Sequence, residues 1–210
     1  MTEGVLTPDR ILDAAEQVLT RYGPQKTTVV DVARALGVSH GSVYRHFASK
    51  AALRDAVTER WLARVDRPLA RIAAEDAPAP ERLRRWFDTL IATKRQKART
   101  EPELFATYRA ILADSADAIR AHVGTLVGQI ARIIADGIRR GEFAALDPDR
   151  TARALFDATA RFHAPVHVGE WSDPAIDRTF DGLWALLVRG LAPDAAAAGA
   201  PKSRARRKRE

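Results

Sequence analysis

Two pairs of histidines supply the residue types best suited to metal binding or catalysis. His163 and His167 lie four residues apart in ARFHAPVHV, a spacing that can present two imidazoles to one metal ion from a helix face. His122 is a candidate third ligand. Pro165 between the pair predicts a kink or a helix end, which separates the two rings. Metal coordination is therefore the least favoured of three interpretations, behind a polar handle in an organic-ligand pocket and a structural role.

The second pair, His40 and His46, lies in the segment VARALGVSHGSVYRHF. A spacing of six residues places the two rings on different faces of a helix, which disfavours a shared metal ion. The segment also holds serine, tyrosine and arginine, whose side chains hydrogen-bond phosphates and base edges in nucleic acids. The chain contains no nucleophile elbow, phosphate-binding loop or dinucleotide fingerprint, so we expect neither an enzyme nor a cofactor or bound metal.

Composition indicates the class of protein. The chain has 210 residues, of which 46% are hydrophobic and 29% charged, and this balance predicts a soluble globular protein. It has no cysteine, no apolar run long enough to span a bilayer and no secretion-signal pattern at its start. We therefore expect a cytoplasmic protein with no membrane partner.

The net charge of +7 is concentrated in the last ten residues, PKSRARRKRE, which contain six Lys or Arg and one Glu. Small and polar residues precede this run. We predict that residues 194–210 form a disordered basic tail, able to add salt-sensitive attraction to DNA.

Proline, glycine and apolar residues at helical spacing predict an all-α fold of about nine helices, with no strand. The fourth helix begins at Lys50, and Pro68 is expected to kink or break it. The basic run Lys94, Arg95, Lys97 and Arg99 could counter the charge of an anionic ligand, but the favoured interpretation is a solvated helix end. The other predicted helices run from Pro8 to Gly23, from Thr28 to Leu36, from Ser39 to about Phe47, and over 80–99, 102–113, 115–140, 149–165 and 173–191.

The second and third helices have the spacing of a helix-turn-helix. Ala33 is small where the two helices meet, Gly37 lies in the turn, and Val38 and Val43 are placed to fill the wedge between them. In such a motif the second helix enters the major groove of DNA. We therefore predict a DNA-binding head at the N-terminus.

Residues 10–62 resemble the DNA-binding domain of the TetR/AcrR family of bacterial regulators. The resemblance is carried by ILDAAEQVLTRYG and TTVVDVARALGVSHGSVYRHFASKAAL. It implies a helix-turn-helix domain at 1–50 and a helical effector-binding and dimerisation domain at 51–193. The implied function is a ligand-responsive regulator of transcription, in the favoured form a repressor that binds a palindromic operator as a homodimer and is released by a small-molecule effector. An architectural DNA-binding protein without an effector is the alternative.

The resemblance also implies roles for individual residues of the head. Thr28, Tyr44, His46 and Lys50 are expected to contact phosphates, although Tyr44 and His46 could instead be partly buried structural residues. Residues expected at base edges are Ser39, His40, Gly41, Ser42 and Arg45, of which Arg45 is the best candidate for a guanine.

The C-terminal half is expected to hold the effector site and the dimer interface. Each aromatic candidate for the pocket is more often a core residue than a ligand contact. The effector, the operator and the regulated genes cannot be read from the sequence. Candidates for the effector site are Trp86, Phe105, Tyr108, Phe156, Phe162, His163, His167 and Trp184, and candidates for the interface are Leu155, Ala158, Phe162, Leu183, Leu186 and Leu187.

Overall fold

The computed structural model describes residues 5–113 and 116–193, and in these ranges all regular secondary structure is helical. This confirms the predicted all-α class. The predicted basic tail at 194–210 lies outside the described residues. The helices are α1 (Pro8–Lys26), α2 (Val29–Leu36), α3 (His40–Tyr44), α4 (Lys50–Ala74), α5 (Ala79–Thr100), α6 (Pro102–Ala113), α7 (Ala116–Arg139), α8 (Pro148–Ala158), α9 (Ala160–His163) and α10 (Ile176–Leu191), with a 3₁₀ helix (Pro165–Glu170) between α9 and α10.

Hydroxyl side chains start the first four helices where the sequence predicts them. Thr7, Thr28, Ser39 and Ser49 each accept a hydrogen bond from the backbone N–H three residues later. Such caps stabilise the first turn, whose N–H groups have no partner within the helix. The helical run of α1 is interrupted at Gly23 (φ 76°, ψ 166°), close to its predicted end, and one further turn follows to Lys26.

The end of the third helix and the course of the fourth at Pro68 differ from the prediction for reasons that the structure shows. The third helix ends at Tyr44 rather than Phe47, because the next residues tighten into a turn in which the N–H groups of His46 and Phe47 share the Val43 carbonyl. Pro68 does not end α4, which continues to Ala74, since Val65 and Leu69 on either side are buried. Tertiary packing there outweighs the lost backbone hydrogen bond.

The predicted helix 149–165 is divided at Thr159, which is fully buried. Its hydroxyl donates to the Leu155 carbonyl at 2.8 Å, and its backbone (φ −95°, ψ 4°) departs from helical values. A threonine hydroxyl that bonds the preceding turn competes with the backbone ladder and bends the chain.

The helices enclose two hydrophobic cores that share α4. Leu53, Val57 and Trp61 pack in the core of the head, with the apolar faces of α1, α2 and α3. Val65 and Leu69, further along the same helix, pack in a second core with α5, α7, α8 and α10. The cores therefore divide inside α4, beyond the predicted domain boundary at residue 50, which stays a prediction.

Ion pairs reinforce both parts of the fold. Glu16 of α1 accepts a hydrogen bond from Arg60 Nε at 3.2 Å and another from Arg64 at 2.7 Å, which ties the first helix to α4. In the second core the buried Arg82 pairs with Asp136. Burial opposes ionisation of Asp136, but the Arg82 hydrogen bond and nearby arginines hold the pKa of this carboxyl below its ordinary value.

Gly137 generates a stability prediction, because α7 packs closely against its neighbours there. A Cβ at Gly137 would lie 2.3 Å from Phe143 Cδ2 and 2.8 Å from Ala79 Cβ. We expect Gly137→Ala to lower the free energy of unfolding by about 1–3 kcal/mol through overpacking. Gly128→Ala in the same helix, where nothing lies within 4 Å, should raise it by about 0.5–1 kcal/mol. Urea unfolding at fixed protein concentration measures both, and equal effects would contradict the packing at Gly137.

Candidate DNA-binding surface and effector domain

The turn between α2 and α3 is fixed by backbone hydrogen bonds and a left-handed glycine. Gly37 has φ 69° and ψ 26°, a conformation that costs a residue with a side chain about 1 kcal/mol. The N–H of Val38 donates to the Ala33 carbonyl at 3.0 Å. Ala33 and Val43 are buried between the helices. Gly37 thus lies in the turn, and Ala33 and Val43 lie between the two helices, as the sequence predicts.

A chain of hydrogen bonds runs along the outer side of α3. Ser39 Oγ lies 2.9 Å from Ser42 Oγ, and the Arg45 guanidinium donates to Ser42 Oγ at 3.1 Å. Arg45 is exposed, so its remaining N–H groups are free to meet a partner outside the protein. The hydrogen bond places the Arg45 guanidinium beside Ser42 on the outer side of α3.

Two aromatic rings flank this chain. Tyr44 is 43% exposed, and its ring packs edge-on against His40 at 6.3 Å between centroids. His46 and Lys50 are also exposed. Tyr44 and His46 are therefore both accessible to a phosphate, and their contact with one stays a prediction.

Thr28 differs from the other predicted phosphate contacts. Its hydroxyl donates to Asp31 Oδ2 at 2.6 Å, and its backbone N–H donates to the same oxygen at 3.1 Å. The Thr28 hydrogen bond helps hold the pKa of Asp31 below its ordinary value. Both donors of Thr28 are thus occupied beside a carboxylate, so its phosphate contact stays a prediction with little support from the geometry.

Two family models match this sequence. The model described as bacterial regulatory proteins, tetR family, matches residues 11–57, and the model described as tetracyclin repressor-like, C-terminal domain, matches residues 79–184. The second match alone covers half of the chain. The chain belongs to the TetR family.

Individual relatives agree with this assignment. An uncharacterised HTH-type transcriptional regulator of Mycobacterium tuberculosis is 35% identical over 103 residues, 49% of each protein, so the chain spans about half the length of the first curated relatives it matches. The HTH-type transcriptional regulator TtgR of Pseudomonas putida is 28% identical over 160 residues, 71% of this chain and 75% of TtgR.

A solved structure shows the same fold. SmeT, the repressor of the Stenotrophomonas maltophilia multidrug efflux pump SmeDEF, superposes with a TM-score of 0.68 at 20% identity. The superposition covers 92% of this chain and 94% of SmeT.

In this TetR-family chain the predicted effector residues are divided between the two cores. Tyr108 stacks on Trp61 at 4.2 Å between ring centroids, and Phe105 packs against Trp171, both in the core of the head. The other aromatic candidates lie in the second core. Their burial matches the alternative that they are core residues, and their contact with an effector stays a prediction. Those in the second core are Trp86, Phe156, Phe162 and Trp184.

The two histidines of ARFHAPVHV have separate environments. His163 is buried, and its Nε2 donates to the Phe156 carbonyl at 3.3 Å. His167 lies after the helix end at Pro165, as predicted, and its Nδ1 is 2.8 Å from Glu170 Oε1. This hydrogen bond and that of Arg161 hold the pKa of Glu170 below its ordinary value. Within the described ranges, no three His, Asp or Glu side chains come together to hold a metal ion.

Sequence analysis missed a buried lysine. Lys94 was interpreted as part of a solvated helix end, but it is only 5% exposed, and its Nζ lies 5.5 Å from the centroid of the Trp61 ring. Burial lowers the pKa of Lys94 to about 8, although the charge of Asp66 opposes the shift. The spacing of Leu90, Ile91 and Lys94 on the apolar face of α5 was the signal that could have found it.

Across residues 5–113 and 116–193, every helix is too short or too polar to cross a bilayer.

His163 generates a prediction on pH dependence. Burial, with a smaller contribution from the charge of Lys94, lowers the pKa of His163 to about 4. The unfolded chain binds this proton at a pKa of about 6.5, so the native state loses stability as the pH falls from about 6.5 towards 4. His163→Gln keeps an N–H donor and does not titrate. We expect the stability of the wild type relative to this variant to fall by on the order of 2 kcal/mol between pH 7.5 and 4.5, measured by urea unfolding. Parallel pH curves would show that His163 is protonated in the native state.

Proposed function

We propose that this protein is a ligand-responsive regulator of transcription that binds a palindromic DNA operator as a homodimer and represses until an effector releases it. The observation that carries the proposal is the series of hydrogen bonds that joins Ser39, Ser42 and Arg45 on the outer side of α3. These bonds place the Arg45 guanidinium on the second helix of a helix-turn-helix, the element that enters the major groove. The proposed role is regulatory, with no catalytic step, and its place is the cytoplasm, where the DNA is.

We assign base contacts to the α3 surface and phosphate contacts to its surroundings. A guanidinium can donate two hydrogen bonds to O6 and N7 of one guanine, which makes Arg45 the main reading residue. Ser39, His40 and Ser42 complete the surface that faces the bases. Tyr44, His46 and Lys50 are exposed nearby, and their donors suit phosphate oxygens, which fix the register of the protein on DNA.

The proposed dimer uses the outer faces of α8 and α10. Leu186 is 66% exposed, and the small residues Ala154, Ala158 and Ala185 are exposed on the same two helices. Leu155 and Phe162 are buried inside the second core of their own chain, so they do not belong to this surface. A two-fold axis through α8 and α10 would place two heads on successive half-sites of an operator.

We infer that the effector acts through α4. Because Trp61 packs in the core of the head and Val65 packs in the second core, a displacement of α4 in one core is transmitted to the other. An effector that binds the displaced state more tightly than the DNA-binding state lowers the affinity of the dimer for its operator. The factor by which it does so equals the factor by which operator DNA weakens effector binding.

Arg45→Ala tests the reading surface. We expect it to weaken binding to the operator by about 10- to 100-fold, because a bidentate guanine contact is worth about 1–3 kcal/mol. Arg85→Ala removes the same charge from an exposed site on α5, away from both the reading surface and the proposed dimer surface, and should leave the affinity unchanged. Fluorescence anisotropy with labelled DNA from the gene's own upstream region measures both. Equal affinities of Arg45→Ala and wild type would refute the proposed surface.

Footprinting on the same DNA separates regulation from architecture. Protection of one or a few palindromic sites is the expected result. Uniform protection along the fragment would instead support an architectural protein.

Gly41→Ala separates stability from recognition. Gly41 is exposed in α3 at negative φ, with Ser39 Oγ at 3.8 Å as the nearest neighbour of an added Cβ. We expect the substitution to raise the free energy of unfolding by about 0.5–1 kcal/mol. It should nevertheless weaken operator binding, because the new methyl group projects from the surface that approaches the bases. Tighter DNA binding by the more stable variant would contradict a close approach of this backbone to DNA.

A further inference from the structure

A cavity of about 570 Å³ lies between α4 and the first turns of α7, outside both cores. Its volume falls in the range of pockets that hold drug-sized ligands, about 300–1,000 Å³. Ala56, Leu62 and Ala63 supply apolar walls, and Thr58 and Thr125 add hydroxyls. The cavity can therefore take a molecule with an apolar body.

Three carboxylates on one side of α4 line this cavity. Asp55, Glu59 and Asp66 follow each other at spacings of four and seven residues, which places them on one face of the helix. Asp55 has a long ion pair with its neighbour Arg54 at 3.8 Å. Glu59 forms no ion pair within the described part of the chain. Among the described residues the lining has three carboxylates and no lysine or arginine, so this part of it is negatively charged.

A histidine of α7 lies opposite these carboxylates with its hydrogen-bonding capacity unused. The His122 side chain is 8% exposed, lines the cavity, and neither ring nitrogen has a hydrogen-bond partner. Its Nδ1 lies 3.3 Å from Asp66 Oδ1 without the alignment of a hydrogen bond, and that oxygen also has no hydrogen-bond partner. Buried polar groups without partners destabilise the protein, and a ligand with suitable donors removes that destabilisation.

We propose that this cavity is the effector site and that its ligand is an organic cation with an apolar body. The inference rests on the regulatory function proposed above and names the class of effector. The positive group lies between Glu59 and Asp66, the apolar part contacts Ala56 and Leu62, and His122 offers a hydrogen bond from the facing helix.

The buried Lys94 does not offset the carboxylates of the lining. Its ammonium group lies 5.5 Å from the centroid of the Trp61 ring, and Lys94 does not line the cavity. Arg54, which pairs with Asp55 at 3.8 Å, is outside the lining as well. An anionic ligand would therefore face carboxylates with no lysine or arginine among the described lining residues, whereas a cation would be attracted.

The lining connects directly to the head. Glu59 lies between Val57 and Trp61, which pack in the core of the head from the other side of the same turns of α4. A ligand that separates α4 from α7 thus shifts the helix that begins six residues after α3.

Isothermal titration of the whole protein with tetraphenylphosphonium and tetraphenylborate tests the proposal, because the two ions have nearly the same size and shape and opposite charge. We expect saturable binding of the phosphonium at one site per protomer, and at least tenfold weaker binding of the borate. Glu59→Gln/Asp66→Asn should weaken phosphonium binding tenfold or more. Glu75→Gln/Asp76→Asn removes two carboxylates that pair with Arg85 and Arg140 outside the cavity, and it should leave binding unchanged.

Equal or tighter binding of the borate, unchanged phosphonium affinity in the cavity variant, or no saturable binding of the phosphonium would each overturn the proposal. Circular dichroism verifies that the variants fold. If the double variant is unfolded, the exposed single change Glu59→Gln serves instead, with an expected loss of threefold or more.

Fluorescence anisotropy with DNA from the upstream region, measured on the same protein, distinguishes failure of the cavity assignment from failure of the proposed regulatory function. Specific DNA binding without phosphonium binding would overturn only the cavity assignment. Phosphonium binding to the wild type, lost in the cavity variant, with no specific DNA binding would support the cavity assignment and refute the regulatory function.

Discussion

The burial of one helix in two hydrophobic cores is the constraint on which the rest of the structure depends. Trp61 packs with the head and Val65 with the second core, although they are only one turn apart on α4. Glu16 holds the same helix to α1 through Arg60 and Arg64. We therefore expect a displacement of α4 in one core to reach the other. Because α4 follows α3 directly, such a displacement would also change the orientation of α3.

Local chemistry explains what could be predicted from the sequence. Hydroxyls at Thr28 and Ser39 start helices by satisfying N–H groups within three residues, and Gly37 permits a backbone turn that other residues resist. These causes lie within a few residues of their effects. The exposed surface of Ser39, Ser42 and Arg45 follows from them, so the candidate reading surface was accessible to sequence reasoning.

Long-range packing explains what could not be predicted. Pro68 lies inside α4 because buried neighbours compensate its missing N–H, and Thr159 divides a predicted helix because its hydroxyl is enclosed by the core. Lys94 is part of a basic run in the sequence, but it lies on the apolar face of α5 and is therefore buried. The cavity is formed by residues that are far apart in the sequence, since His122 lies on α7 and the carboxylates that face it lie on α4. No local pattern could have joined them.

Distance measurements between two heads of a dimer test the central claim that operator and effector act on one coupled α4. The chain has no cysteine, so Ala35→Cys on the exposed side of α2 gives a single spin-label site per protomer. The account predicts a distribution of interspin distances with one maximum. The distribution becomes narrower when operator DNA is added, and its maximum moves to a different distance when the organic cation is added. Absence of any interspin coupling, or the same distance distribution in all three states, would contradict it.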